Sequence, residues 1–375
     1  MATITTLYEQ VFQTLKKDIL EGKYKPGDRI PSEKELSDTY QISRITSKKA
    51  LGKLVEVGLV HRKQGKGTYV SQVSGEKKHP LASSLKKPLI GLIVTSFDDS
   101  YSSKLISSIE YASEDQCLVI LKQSFGLPDK EEKYIKELLE FGVDGMLIFP
   151  ARTEHFSSEI LRMVVDQFPF VLIDRLFKGV GATAVSTDNV QAAKMGVEYL
   201  FSLGHEHIGV LSPRTIETTT IEDRFNGVVQ AYAERNSRVN HELWCTEIKS
   251  TLPHPEATAE QDIDIIKQYL MKNPEISALF AFEYQIAILV HRAAEQLGLQ
   301  VPDDLSILCF DEPEKSVCDW TFTHLRQAAN EIGKTAVTRL LEMINGESTI
   351  KKVSFPATLV EGNSTKVRKN SLDKV

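Results

Sequence analysis

Arg44, Thr46, Lys48 and Lys49 stand within six consecutive residues, directly after Ser43. Ammonium and guanidinium groups neutralise phosphate, and a guanidinium can also fork onto a guanine edge, so this cluster has the chemistry of a surface that reads DNA. Further on, Gln64-Gly65-Lys66-Gly67 combines a cation with two glycines. A tip with so little side-chain bulk can approach a phosphate or enter a minor groove.

The elements that would hold these groups are legible around them. Ser32 followed three residues later by Glu35 is a capping box and predicts a helix start just after Pro31. Gln41-Ile42 reads as a tight turn. Ser43 can then N-cap a second helix that runs to about Val57, with Gly58 as its left-handed stop. Ala50, Leu51, Leu54 and Val55 are expected on its inner face. The basic cluster then occupies its first turns, the part of a recognition helix that meets base edges. Leu59–Lys63 and Thr68–Val70 alternate as strands of a hairpin around the glycine-lysine tip. A first helix begins near Thr6, carries Leu7, Val11, Leu15 and Ile19 at four-residue spacing, and ends at Gly22. Residues 1–72 thus read as an α+β winged helix-turn-helix.

Charge divides the chain at the same place. Residues 1–72 hold 13 Lys and Arg against 8 Asp and Glu, a balance of +5, whereas the remainder holds 32 against 43, a balance of −11. The chain as a whole is acidic at −6, so attraction to phosphate must come from the local basic module. Residues 73–88, VSGEKKHPLASSLKKP, are polar and contain two prolines, as a linker does.

After Pro88 the pattern changes to alternating strands and helices. Leu89–Thr95 is a continuous apolar strand of the kind buried on both faces of a parallel sheet. Further strands are expected at Cys117–Lys122, Gly145–Phe149, Phe170–Ile173, His207–Leu211, Ala278–Phe282 and Ser306–Phe310. Helices are expected between them, the last at Ala328–Ile344. Repeated βα units imply doubly wound sheets, and residues 89–360 suffice for two α/β lobes. Ligands in such folds bind beyond the carboxyl ends of the strands. Residues 361–375 read as a polar tail.

Other classes find little support. The 375 residues contain four cysteines, Cys117, Cys245, Cys309 and Cys318, with no CxxC pair, which suits reduced thiols in the cytoplasm. No secretory leader pattern opens the chain, and no apolar run approaches the roughly 20 residues needed to span a bilayer. There is no GxSxG, HExxH or Walker loop, so no enzymatic activity and no cofactor is expected. His205 and His207 sit in a turn entering a strand and are expected to be structural rather than metal ligands. Asp188-Asn189 is expected to cap the helix that follows it.

The first segment resembles the DNA-binding domain of the GntR family of bacterial regulators, through GKYKPGDRIPSEKEL, SRITSKKAL and GKGTYV. By that resemblance Lys34, Arg44, Thr46, Lys48, Gln64, Gly65 and Lys66 would touch DNA. The family often has arginine where this chain has Lys34 and Lys48, and lysine cannot form the bidentate fork that reads guanine. The second part resembles the effector domain of the LacI/GalR repressors, through IGLIVTSFDDSYSSKLISSIE, FGVDGMLIFP, PFVLIDR, VSTDNVQAAKMGVEYLFSLGHEHIGVL, DRFNGVVQAY, VPDDLSILCFDE and FTHLRQAANEIGKTA. The combination is the layout of the arabinose repressor subfamily.

The second resemblance implies a periplasmic-binding-protein-like cleft that holds a sugar or sugar-like effector. Ser96, Phe97, Asp98, Tyr101, Arg175, Arg224, Asp311 and Gln327 would line it. Arginine and aspartate can each bind a pair of hydroxyls, and Phe97 or Tyr101 can cover an apolar ring face. The family usually has Asn-Asp where this chain has Glu283-Tyr284, which removes one acceptor and adds bulk. The partners implied are operator DNA, a small effector and a second copy of the chain. The function implied is an effector-released repressor. An activator or corepressor-dependent repressor with the same parts, or a DNA-binding dimer with an empty cleft, are the alternatives.

Overall fold

The computed structural model describes residues 7–63, 66–71, 87–152, 157–177, 179, 181–214, 218–312 and 320–368. The chain divides into two compact units, Met1–Lys86 and Lys87–Val375. Most of the expected linker, residues 72–86, lies outside the described residues, as do Cys318 and residues 369–375.

In the first unit, helices α1 (Leu7–Leu20), α2 (Glu33–Tyr40) and α3 (Arg44–Glu56) precede strands β1 (Val60–Lys63) and β2 (Gly67–Val70). The capping box is formed. The Ser32 amide donates to Glu35 Oε2 at 2.6 Å, and the Glu35 amide donates to Ser32 Oγ at 3.3 Å. Ser43 caps α3 by accepting from the Thr46 amide at 3.2 Å. Gly58, at φ +70°, ends it. The core is built from Val11, Phe12, Leu15, Ile30, Leu36, Ala50, Leu51 and Leu54, closed by Val60 and Val70 of the hairpin. One expectation fails here: Val55 is exposed, and Ser47 is the fourth inward residue of α3. Positions 47, 50, 51 and 54 form one helical stripe, and Val55 lies a further 100° round. Gly67 has φ +118°, and a Cβ there would stand 3.0 Å from Arg29 Nε, so the hairpin returns past Arg29 only through glycine.

The second unit has two six-stranded sheets. One runs in the order β13 (Lys352–Phe355), β7 (Thr183–Thr187), β6 (Phe170–Ile173), β5 (Gly145–Ile148), β3 (Leu89–Val94), β4 (Leu118–Gln123), all parallel. It is flanked by α4 (Ser100–Ser113), α5 (Pro128–Phe141), α6 (Ser158–Val165) and α11 (Ala329–Ile344). The other runs β14 (Thr358–Val360), β12 (Thr323–Arg326), β11 (Ser306–Phe310), β10 (Ala278–Ala281), β8 (Ile208–Pro213), β9 (Trp244–Ile248), with only β14 antiparallel. Its helices are α7 (Asn189–Ser202), α8 (Thr219–Glu234), α9 (Ala259–Lys272) and α10 (Tyr284–Gln296). Helices α7 and α8 touch backbone to backbone at Gly227, where a Cβ would meet the Val190 carbonyl oxygen at 2.2 Å.

The chain passes between the lobes three times, after β7, after β12 and after β13. These crossovers lie side by side. The Asp188 amide donates to the Phe355 carbonyl at 2.8 Å, and the Thr187 hydroxyl donates to Gln327 Oε1 at 2.7 Å. Residues expected in a polar tail are packed as far as Arg368. Ser364 is fully buried, its hydroxyl accepting from the Thr323 amide, and its carbonyl accepts from the Ile307 amide at 2.8 Å. Buried backbone groups need such partners, which is what draws this polar segment onto the second sheet. Cys117, Cys245 and Cys309 are buried free thiols.

Candidate functional site

The residues singled out from the sequence fall into two groups, one in each unit. In the first, Arg44, Lys48 and Lys49 are exposed on the outer face of α3, with Thr46 half-buried behind them. The Thr46 and Ser43 hydroxyls are 2.8 Å apart, so the cap also orients Thr46. Lys49 is less available than expected, because its ammonium lies over the Tyr8 ring at 4.2 Å. Lys34 and Lys66 are exposed, and Tyr69 steadies the hairpin tip by donating its hydroxyl to the Lys66 carbonyl at 3.0 Å. Gln64 and Gly65 lie outside the described residues.

In the second unit, polar side chains gather where the carboxyl ends of both sheets meet. Arg224, on α8, is buried. Its Nε donates to Asn189 Oδ1 at 2.9 Å, another guanidinium nitrogen donates to the Phe282 carbonyl, and the guanidinium lies 3.6 Å from the Phe310 ring centre. Arg175 donates to the Pro150 and Ala151 carbonyls at 3.0 and 3.1 Å and lies over Phe149 at 5.0 Å. Asp174, at φ +67°, is buried beside both arginines and accepts from the Thr220 hydroxyl at 3.3 Å. The Tyr101 hydroxyl is buried beside the Asp174 carboxyl and also faces the charges of Asp311 and Arg224. Glu283 is half-buried near Thr251, Arg224 and Arg175.

Burial pushes the carboxyls of Asp174 and Asp311 above the usual range, with the arginines and hydrogen bonds pulling the other way. It pushes Glu283 to about 7. The arrangement brings donors, acceptors and aromatic rings together, groups that suit the paired hydroxyls and apolar faces of a polyol.

Several expected cleft residues are placed differently. The Ser96 hydroxyl accepts from the Asp98 amide at 3.1 Å and so shapes its own turn, leaving Phe97 and Asp98 exposed. The Tyr284 ring packs edge-on against Phe322 at 5.9 Å, at the rim of the core beneath α10. A large half-apolar ring gains more there than in a polar cleft. Gln327 is buried at the crossover, where its amide and Nε2 donate to Asp311 at 3.1 and 2.7 Å. Asp311, at φ +53°, is therefore partly a crossover clip. Asn189 was expected only to cap, but Asp188 does the capping and Asn189 anchors Arg224. Asp174 and Thr220 belong to this cluster without having been expected there, although Asp174 directly follows an apolar strand. His205 is structural, bonded to Ser277 Oγ and the Lys366 carbonyl at 2.9 and 3.0 Å.

Glu131 adds a pH-sensitive support. Its buried carboxylate accepts from the Ala151 amide at 2.6 Å, on the loop that Arg175 also grips. Burial lifts its pKa to about 7, partly offset by the Ala151 hydrogen bond and Arg175. Since the folded chain holds this proton more tightly than the unfolded chain, stability is lost as pH rises from about 4.5 to about 7. Glu283 acts in the same direction. Melting temperature is therefore expected to fall between pH 5 and pH 8. Glu131→Gln, which keeps the acceptor, is expected to flatten that fall, as read by thermal melts across the range; a steeper fall in the variant would contradict it.

Comparison with known proteins agrees with both halves. Residues 7–70 match bacterial regulatory proteins of the gntR family, and residues 197–365 match a periplasmic binding protein-like domain. An arabinose metabolism transcriptional repressor of Geobacillus stearothermophilus is 26% identical over 372 residues, covering 96% of this chain and 97% of that protein. The transcriptional repressor PurR of Vibrio campbellii is 29% identical over 266 residues, covering 70% of this chain and 77% of its own. Among solved structures, CcpA of Lactococcus lactis superposes with a TM-score of 0.65 at 19% identity, covering 75% of this chain and all of its own. A LacI family regulator of Enterococcus faecium, solved with bound ribose, gives 0.63 at 22% identity over 75% of this chain and 100% of its own. At these identities the structural likeness shows the fold.

Proposed function

The chain carries a gntR-family DNA-binding domain followed by a periplasmic-binding-protein-like domain, the layout it shares with arabinose repressors along nearly its whole length, and from that premise we propose that it is an effector-controlled transcription repressor. It binds operator DNA through the exposed face of α3 and the hairpin, and a sugar or sugar-like effector between the lobes releases it. The observation that carries this reading is the cluster of Asp174, Arg175, Arg224, Glu283 and Asp311 beside three adjacent crossovers. A ligand gripped there from both sheets favours one lobe arrangement over another, and differential affinity is all that a switch requires. The work is binding rather than catalysis, and it takes place in the cytoplasm, where the operator is.

The acting form is a homodimer. Support comes from β4, an edge strand carrying exposed Leu118 and Leu121, and from exposed Tyr111 near the end of α4, an apolar edge that a second copy would cover. Two readers would then occupy successive major grooves, about 34–36 Å apart or a multiple of that.

The test pairs a thermal-shift screen of pentoses, hexoses, disaccharides, their phosphates and amino sugars with operator binding. A ligand at 100 times its dissociation constant stabilises by roughly 2.7 kcal/mol. The stabilising sugar is expected to weaken operator binding, and by linkage to bind the operator complex more weakly itself. A sugar that strengthens operator binding would make the chain a corepressor-dependent regulator. A flat screen would leave the DNA-binding dimer without a ligand.

A further inference from the structure

Ile45 is the second residue of α3, and at 79% exposure it is the most exposed large apolar side chain among the described residues of the first unit. Among the described residues it stands outside the unit's core: the inward stripe of α3 is Ser47, Ala50, Leu51 and Leu54, and Ile45 lies on the opposite side. Its companions there are the exposed cations Arg44, Lys48 and Lys49. A β-branched side chain left in water, in the middle of a cationic surface, forgoes burial that fully apolar surroundings would provide. A partner that is negatively charged around its rim and apolar at one spot fits both features.

Resting on the DNA-binding reading above, we propose that Ile45 is a specificity-determining residue that reads the 5-methyl group of a thymine in the major groove. Thymine's methyl is the apolar group that base pairs present in that groove, and apolar side chains are its natural contacts. The first turn of α3 is the part of such a helix that meets base edges, while the flanking cations hold the phosphates. Ile45 suits the role because a β-branched residue in a helix is nearly fixed in χ1, so little side-chain freedom is lost on contact. Arg44 reads a hydrogen-bonding edge; Ile45 reads shape and apolarity one residue further on. The two together specify adjacent base pairs.

The experiment uses the full chain. Random-sequence selection first yields a preferred site. Each thymine in that site is then replaced in turn by deoxyuridine, which removes only the methyl, and affinity is measured for the wild type and for Ile45→Ala. One thymine in each half-site is expected to matter. Losing its methyl should weaken wild-type binding about three- to tenfold, on the scale of one buried methyl group, and should change Ile45→Ala binding less than twofold. Melting temperature should be nearly unchanged by Ile45→Ala, since the residue is 79% exposed. Equal sensitivity of both proteins at every thymine overturns the proposal, as does a preferred half-site without thymine. Either result leaves DNA binding itself standing. If selection enriches no sequence at all, sequence-specific binding fails and the assignment of Ile45 fails with it.

Discussion

Arg44→Ala is expected to weaken binding to the preferred operator by about 5- to 150-fold per half-site, the range for losing one bidentate base contact. The side chain stands exposed at the first position of α3, and Ser43, which holds the helix start, is untouched by the change. Folding should therefore survive, with stability within roughly 0.5 kcal/mol of the wild type. The loss should also be selective: affinity for unrelated DNA should fall far less. Lys48→Ala makes the useful contrast. A phosphate contact removed weakens all sequences alike and lowers the dependence of affinity on salt by about one ion per half-site. Fluorescence anisotropy at several salt concentrations reads both effects. If Arg44→Ala reduces specific and non-specific binding equally, Arg44 is a phosphate contact and base reading lies elsewhere on α3.

The sequence is legible where local rules act alone. Ser32 with Glu35, Ser43 and Gly58 mark helix ends through bonds to their own backbone, and the structure places those ends within a residue or two. The apolar strands β3, β5, β6, β10 and β11 are equally plain, because strands buried on both faces leave continuous apolar runs. Strands β7, β9, β12, β13 and β14 were not foreseen. TAVST, WCTEI, THLR, KVSF and TLV are short and mixed, and β9, β13 and β14 are sheet edges, where one side needs no apolar cover. The candidate effector cluster is legible in part for a related reason. Arg224 and Arg175 are found by residue type and motif. Asn189, Thr220 and Gln327 acquire their roles from partners 35 to 140 positions away, as in the Arg224–Asn189 and Gln327–Thr187 bonds. No local pattern encodes such pairings.

Arg224→Ala is expected to remove the effector response altogether and to lower stability. The substitution withdraws the donors that satisfy Asn189 Oδ1 and the Phe282 carbonyl, both buried, and it takes the cation away from Asp174, Asp311 and Glu283. Leaving two buried acceptors unsatisfied, at about 1–3 kcal/mol each, together with the lost attraction to the acids, costs on the order of 3–5 kcal/mol. In a domain of this size that is a fall of roughly 6–15 °C in melting temperature. The acids respond in a definite direction: with Arg224 gone, their charged forms are less favoured, so the stability lost between pH 5 and pH 8 should grow. Arg224→Lys separates charge from geometry. It keeps a cation near the three carboxyls but cannot donate along both directions while lying flat on Phe310, so it should recover part of the stability and none of the effector affinity. Operator binding, measured well below the lowered melting temperature, should persist in both variants and no longer respond to the sugar that shifts the wild type. Undiminished effector affinity in Arg224→Ala would show that Arg224 only braces α7, α8 and the end of β10 against one another, and the effector site would have to be sought on the exposed side of the cleft, at Phe97 and Asp98.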